Sequence, residues 1–206
     1  MFRRAMSAYD LALRTSPYRT KALTSCFVSA TGDVVAQYAT TEGDFDGART
    51  ARQSLWGLAM GPLSHNIFRA LSYVRAVGPI PAPVMAVVVD QLCFSVPIHL
   101  TYFAWISSAS SGFMRPLTEV RADAWDRLWP ALKASYMVWP AAIYMNVSFV
   151  PLPYRVLFVN VVGLYLGTRL RTIVLCPILV LCSGALLPLL SIFARISTAA
   201  GAMVWS

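Results

Sequence analysis

Residues 139–155, WPAAIYMNVSFVPLPYR, decide the fold, because prolines and polar residues interrupt an otherwise apolar and aromatic run. Pro140 lacks a backbone donor and crowds the carbonyl four residues earlier, which predicts a kinked helix. In lipid, such a kink is stable only where neighbouring helices, hydroxyl side chains or water satisfy the freed backbone groups. Asn146 lies about two turns beyond the first residue and therefore returns to nearly the same face. We expect Pro151 to end this helix and Arg155 to lie where the chain leaves the hydrocarbon.

The apolar character of this stretch extends along the whole chain. Of the 206 residues, 57% are hydrophobic and 13% are charged, and the mean hydropathy is +0.59. Soluble domains average about 45–50% apolar residues. We therefore expect an all-α membrane protein, a compact bundle of about four to six transmembrane or membrane-embedded helices, each about 20 residues long, preceded by an N-terminal amphipathic helix.

The predicted elements follow one another along most of the sequence. The amphipathic helix covers residues 3–15, and membrane segments are expected at residues 20–39, 54–73, 84–106 and 156–168. A further segment is expected to start at Trp129, with Pro130 at its first helical position. Residues 40–50, 78–83 and 107–127 are predicted connections. Residues 1–171 would then form a single membrane domain, and residues 172–206 would add an apolar segment, either another span or a re-entrant hairpin.

The distribution of basic residues indicates which partners the protein binds. Lys and Arg number 17 against nine acidic residues, which gives a net charge of +8. They lie in short clusters at the ends of apolar runs, so we expect membrane lipids as partners and no nucleic acid. They also divide almost evenly between the two sides of the bundle and leave its orientation undecided. The basic N-terminus is compatible with mitochondrial targeting, and equally with an interfacial helix.

The sequence offers little for catalysis. It contains no nucleophile elbow, no glycine-rich phosphate loop and no dinucleotide fingerprint. The two histidines have no spaced cluster of Cys, Asp or Glu beside them, so no metal site is predicted. We therefore expect no enzyme, no catalytic residue and no cofactor. The cysteines lie in apolar segments and are expected to be buried free thiols: Cys26, Cys93, Cys176 and Cys182.

Polar side chains inside the membrane segments are the candidate functional residues. A carboxylate at the bilayer centre costs at least ~2.5 kcal/mol, so each one needs a partner, water or a proton. Such residues either line a hydrophilic path or bridge helices through hydrogen bonds and ion pairs. The candidates are Asp33, Gln37, His65, Asp90, Gln91 and Asn146. Interfacial arginines that could pair with the acids are Arg49, Arg52 and Arg155.

His65 and the prolines have more specific expectations. His65 either senses pH in an aqueous lumen or has a structural role, in which it donates to a carbonyl freed by Pro62 or to Asp90. The residues expected to produce kinks and turns are Pro62, Pro97, Pro140 and Pro151. Small residues on the first membrane segment should let helix backbones approach closely; they are Ser25, Ser29, Gly32 and Ala36.

Six motifs, in order over about residues 8–171, resemble one family. It comprises small multi-span proteins of mitochondrial inner and peroxisomal membranes, typified by Mpv-seventeen and the twenty-two-kilodalton peroxisomal membrane protein. The matching residues are Tyr9, Leu13, Pro17 and Thr20 for Y-xxx-L-xxx-P-xx-T; Gly32, Asp33 and Gln37 for GD-xxx-Q; Asp46, Arg49 and Arg52 for D-xx-R-xx-R; Gly61, Pro62 and His65 for GP-xx-H; Asp90 and Gln91 for DQ; and Trp139, Pro140, Asn146, Val150, Pro151 and Arg155 for WP-xxxxx-N-xxx-VP-xxx-R.

The resemblance implies a function as well as a fold. It implies a weakly selective pore for small solutes, involved in organelle homeostasis, in the mitochondrial inner membrane or, alternatively, the peroxisomal membrane. The competing hypothesis is a non-conducting structural or interaction subunit, in which the same polar residues only lock helices together. Such a protein could form a homo-oligomer or join a larger membrane complex.

Overall fold

In the computed structural model, residues 2–40 and 44–173 are described, and helices account for nearly all of their regular structure. The exception is an isolated bridge between Val77 and Ile80, closed by a turn in which Gly78 has a φ of +57°. The all-α fold and the N-terminal amphipathic helix are therefore confirmed. The additional apolar segment expected at residues 172–206 lies outside the described residues from residue 174 onward.

The helices follow one another through short connections. They are α1 (Phe2–Thr15), α2 (Pro17–Thr40), α3 (Gly47–Leu71), α4 (Ala82–Val89), α5 (Val96–Ser110), α6 (Leu117–Phe149) and α7 (Arg155–Ile173). A π-helical segment, Asp90–Ser95, joins α4 to α5 without a break, and a 3-10 turn, Leu152–Tyr154, precedes α7.

The continuous rod Ala82–Ser110 is the one described helix that by length and composition could cross a membrane. It has 29 residues and a mean hydropathy of 1.6, and only 11% of its apolar window is buried. Leu152–Tyr165 is a shorter apolar helix. With 24 and 25 residues, α2 and α3 are also long enough to span about 30 Å of hydrocarbon, but they contain more polar residues.

Glycines bring α2 and α3 into backbone contact. A Cβ on Gly57 would overlap the Ser29 side chain and the Ser25 carbonyl, and one on Gly61 would overlap the Lys21 carbonyl. Because only glycine leaves room for such an approach, these two positions set the separation of the helices. The expected close approach of a small-residue face on this segment is confirmed at Ser25 and Ser29.

Two apolar clusters complete the core. The larger one joins α3, α4, α6 and α7 through Ile67, Phe68, Leu71, Ala86, Ile143 and Val156. In the smaller one, Leu13 of α1 packs on Val150, Tyr154 and Phe158, where the chain turns from α6 into α7. The Tyr154 hydroxyl also donates to Asp10 Oδ1 at 2.9 Å. The N-terminal amphipathic helix is thus docked on the turn that ends α6.

The predicted boundary of the fourth membrane segment is wrong. The helix begins at Leu117, twelve residues before Trp129, so Pro130 lies in the interior of α6. The first part of α6, which the sequence suggested was a polar connection, is helical because it is amphipathic. Its inward side chains recur every four residues, and all are buried: Val120, Ala124, Leu128 and Leu132.

Ion pairs support the outer side of this amphipathic stretch. Asp123 lies 2.9 Å from Arg127 and 3.6 Å from Arg115. The length of α6 could have been expected from this four-residue spacing of apolar and charged side chains.

The expectation of buried cysteines is also wrong in part. Cys26 is half-buried, but Cys93 is exposed. Cys93 lies on the rod Ala82–Ser110, which packs against the protein through a narrow face and leaves most of its apolar surface uncovered. Cys176 and Cys182 lie outside the described residues.

Candidate functional site

Asp33 is the centre of a polar network between α2 and α3. Its Oδ1 accepts a hydrogen bond from Arg49 Nε at 2.8 Å. Its Oδ2 accepts from Gln37 Nε2 and from Thr50 Oγ1, both at 2.7 Å. The Asp33 side chain is only 4% exposed. Arg49 therefore balances a buried charge, and both carboxylate oxygens are engaged within the protein.

The start of α3 closes the same network. Asp46 caps the helix, because its Oδ1 accepts from the backbone N–H of Arg49 at 2.9 Å. Gln37 Oε1 accepts a hydrogen bond from the Asp46 backbone N–H at 2.8 Å, and Gln37 Nε2 donates to the Asp46 carbonyl at 3.0 Å. Arg52 lies 3.5 Å from Asp46 at the surface. Two sequence motifs, GD-xxx-Q and D-xx-R-xx-R, thus form one helix-bridging structure.

His65 has a different partner from those expected. Its Nδ1 lies 2.7 Å from Lys21 Nζ on α2, and the Tyr18 ring packs edge-on against it at 4.8 Å. Its described bonds do not include one to Asp90. Gly61, one turn before His65, lets α3 approach the Lys21 backbone, which brings the imidazole within reach of the ammonium group.

Asp90 and Gln91 lie in the π-helical segment of the rod. Gln91 Nε2 donates to Asp90 Oδ2 at 2.8 Å. The backbone carbonyl of Gln91 accepts a hydrogen bond from the Tyr136 hydroxyl at 3.4 Å. Gln91 Oε1 is buried and has no hydrogen-bond partner. Among the ion pairs of the described residues, none involves Asp90. The change in helix type occurs just before Pro97, which has no N–H to donate.

Asn146 and Arg155 lie at the turn between α6 and α7. Asn146 is fully buried, its Nδ2 donates to the Arg155 carbonyl at 3.4 Å, and its Oδ1 is unpartnered. Arg155 donates from Nε to the Val150 carbonyl and from Nη2 to the Val147 carbonyl, both at 3.0 Å. Arg155 therefore satisfies carbonyls that the end of α6 leaves free, a role that cationic side chains commonly have at helix C-termini.

The prolines have distinct positions. Pro62, Pro130 and Pro140 lie inside helices that continue through them. Pro151 follows Val150, whose extended conformation (φ −95°, ψ 124°) ends α6.

The candidate residues form four groups rather than one row. Hydrogen bonds join Asp33 to Gln37 and Arg49, His65 to Lys21, Asp90 to Gln91, and Asn146 to Arg155. Within the described part of the chain, no hydrogen bond or ion pair connects one group to another. Arg52 bonds to Asp46 instead of Asp33.

Two residues of these groups were not anticipated from the sequence. Lys21 counted only as one of several N-terminal bases, yet it is 3% exposed. The available signal was its spacing: Lys21, Ser25 and Ser29 recur every four residues and share the face that packs on α3. Thr50 was missed because its hydroxyl acts through Asp33, a contact that only the folded pair of helices creates.

The chain is similar to known proteins over most of its length. The Mpv17 / PMP22 family model matches residues 114–170, which include the turn between α6 and α7. Protein SYM1 of Eremothecium gossypii is 36% identical over 173 residues, covering 79% of this chain and 91% of the relative. No solved structure matches the chain.

Two further relatives carry names that place them in organelle membranes. Peroxisomal membrane protein 2 of Bos taurus is 29% identical over 172 residues, covering 79% of this chain and 86% of the relative. Woronin body membrane protein wscA of Aspergillus fumigatus is 28% identical over 173 residues, covering 81% of this chain and 75% of the relative. The resemblance drawn from the six motifs is confirmed: this chain is a membrane protein that belongs to the Mpv17 / PMP22 family.

Proposed function

We propose that this protein forms a weakly selective hydrophilic path for small solutes across an organelle membrane. The observation that carries the proposal is Asp90, a carboxylate within the most apolar helix of the described chain that has no basic partner there. A charge at mid-bilayer costs at least ~2.5 kcal/mol, so an unpaired one points to water or a proton in its surroundings.

The surroundings of Asp90 support this proposal. The buried oxygen of Gln91 next to it has no protein partner, and a buried acceptor left without a hydrogen bond costs about 1–3 kcal/mol. Water in a path beside the rod would satisfy both groups. The π-helical geometry also supports the proposal, because π-bulges in α-helices are frequent at functional sites.

The other candidate residues have a supporting role in this proposal. Arg49 balances the charge of Asp33, both oxygens of Asp33 accept hydrogen bonds, and this network joins α2 to α3. Asn146 has no exposed surface and joins α6 to α7. The path would then run along the face of the rod that contains Asp90 and Gln91, with the helix-bridging groups keeping its walls in place.

Planar-bilayer recording of the purified full-length protein tests the function. We expect conductance above an empty-bilayer control, and a several-fold change in conductance or ion selectivity for Asp90→Ala. The matched control is Asp126→Ala, which removes an exposed acid from the outer face of α6 and should behave as the unmodified protein. Absence of conductance from the unmodified protein would contradict the proposal.

A second candidate function is a non-conducting subunit of a membrane complex. It is favoured by the same network at Asp33, because a carboxylate fully engaged by its own chain contributes nothing to a solute path. Blue-native electrophoresis separates the two: a scaffold should migrate within a large complex, whereas migration solely as a small homo-oligomer would count against it.

For the location we propose the mitochondrial inner membrane, with the peroxisomal membrane as the alternative. The basic, amphipathic α1 supports the first. The names of the bovine and Aspergillus fumigatus relatives support other organelle membranes. Fractionation of cells that express the tagged full-length protein would decide between them, by co-migration with an inner-membrane or a peroxisomal marker.

A further inference from the structure

Lys21 and His65 are two basic side chains in direct contact. Their nitrogens are 2.7 Å apart, and Lys21 is 3% exposed. When the Lys21 ammonium group donates to His65 Nδ1, that nitrogen is unprotonated and the imidazole proton lies on Nε2. The Nε2–H and the remaining Lys21 N–H groups are therefore donors available to a further partner. No acidic residue in the described chain forms an ion pair with Lys21.

The groups around this pair are also cationic or hydroxyl-bearing. Arg69 lies one turn after His65 on α3, is exposed, and is within electrostatic range of the imidazole and of the Tyr18 and Tyr73 hydroxyls. Tyr18 donates from its hydroxyl to Asn66 Oδ1 at 3.0 Å. The neighbourhood thus carries two positive charges, with its outer rim open to solvent or lipid headgroups.

An arrangement of this kind lacks a counter-charge. A buried ammonium group without an anion is unfavourable, because its charge has lost much of its hydration. Gly61 nevertheless allows α3 to press against the Lys21 backbone and keeps the two bases together. An anionic ligand that accepts from several donors at once would offset this cost.

We propose that Lys21, His65 and Arg69 bind a phosphate group at the surface, beside the contact between α2 and α3. A phosphate group has several acceptor oxygens and a charge of up to about −2, so it can accept from all three side chains and balance the charges of both Lys21 and Arg69. The phosphate belongs either to a lipid headgroup or to a free soluble anion, and the chemistry of recognition is the same. This site does not depend on conduction and would exist in a non-conducting subunit as well.

Calorimetric titration of the purified full-length protein, in a detergent without phosphate, tests the site. The probes are inorganic phosphate and a short-chain phosphatidic acid, with short-chain phosphatidylcholine as a lipid control. Saturable binding of inorganic phosphate would assign the site to a free anion. Binding of phosphatidic acid alone would assign it to a lipid headgroup. If neither probe binds, the proposal is overturned.

Variants connect the binding to the three residues. Lys21→Met should weaken binding by about tenfold or more, as expected for loss of a charge-assisted hydrogen bond. The matched control, Lys133→Met, removes an exposed lysine that stacks on Trp129 and should leave the affinity within about twofold. Equal affinities for Lys21→Met and the unmodified protein would overturn the proposal.

A second pair of variants keeps the test decisive if Lys21→Met does not fold, as judged by circular dichroism and gel filtration. Arg69→Gln changes an exposed residue, and His65→Gln keeps a donor of similar reach. Both should fold and bind the phosphate probe several-fold more weakly. Unchanged affinity in both variants would show that the basic cluster does not hold the ligand.

Discussion

The α2–α3 junction and the rod Ala82–Ser110 each contain one buried or half-buried acid, with opposite surroundings. Asp33 in the junction is bonded to a guanidinium, an amide and a hydroxyl. Asp90 in the rod has a bond from the neighbouring Gln91 and no basic partner among the described residues. The sequence presents both as acids within apolar segments. The comparison shows that an acidic motif residue of this chain can either hold helices together, as Asp33 does, or lack a counter-charge among the described residues, as Asp90 does.

The largest expected effect is the loss of Arg49. Arg49→Ala leaves the Asp33 carboxylate buried without a counter-charge, and breaking a buried pair in this way costs about 3–5 kcal/mol. We expect the low end of that range, because the Arg49 side chain is 35% exposed. Thermal or denaturant unfolding in detergent, followed by circular dichroism, measures it. Arg52→Ala is the control, and should cost at most about 1 kcal/mol because its pair with Asp46 is exposed. Equal losses would contradict the assignment of Asp33.

The second effect tests the contact that aligns the junction. Gly61→Ala places a methyl group against the backbone at Lys21 and Ala22, so the helices must separate. Overpacking of this kind costs about 1–3 kcal/mol. Gly163→Ala on α7 is the matched control, because a Cβ there meets no atom within 4 Å. Unfolding midpoints of the two variants should differ clearly; the same midpoint for both would show that α2 and α3 can readily move apart.

These two positions also show what could be learned from the sequence. The three- and four-residue spacing of small residues on α2 correctly predicted a close approach to another helix, because side-chain size and helical period are both local properties. The identity of the partner was not local: Gly57 and Gly61 belong to another motif, and only the folded pair brings them to Ser25 and Lys21.

The candidate site divides in the same way. A pair between Asp33 and a loop arginine was among the hypotheses, since a buried acid requires compensation. The contact between His65 and Lys21 was not among those hypotheses, because nothing in the sequence suggests that two basic side chains should lie together. The early start of α6 was missed for another reason: charged residues suggested a loop, whereas their ion pairs occupy one face of a helix whose other face is apolar.

The third effect should have the opposite sign from the first. Asp90→Asn removes a charge that has no basic partner in the described chain and keeps the shape of the side chain. We therefore expect unfolding stability to remain the same or to rise by about 1 kcal/mol, since burying a lone charge is unfavourable. The measurement is the same unfolding assay used for Arg49→Ala. A loss of about 3 kcal/mol would indicate that Asp90, like Asp33, is a structural ion-pair partner.

The smallest effect lies outside the apolar rod, at Asp123. The Ser107 hydroxyl, followed by Arg127 and Arg115, holds the pKa of the Asp123 carboxyl below its ordinary value. Because the folded pKa is the lower one, the stabilisation is present above pH ~4 and is lost as the pH falls through the folded pKa. We expect it to be under about 1 kcal/mol, as for other exposed pairs. Asp123→Asn should remove this contribution to the pH dependence of unfolding stability. Identical profiles of unfolding stability against pH, with and without the substitution, would contradict the prediction.

The central claim is that water reaches Asp90 but not Asp33, and thiol accessibility tests it most directly. Asp90→Cys and Asp33→Cys would each be placed in full-length protein with its four native cysteines replaced by serine. A membrane-impermeant, water-soluble thiol reagent is then added to both sides of the bilayer in reconstituted vesicles. The account predicts fast labelling at position 90 and labelling at least about tenfold slower at position 33, where 4% of the side chain is exposed. Protection of position 90, or equal labelling of the two, would contradict the account.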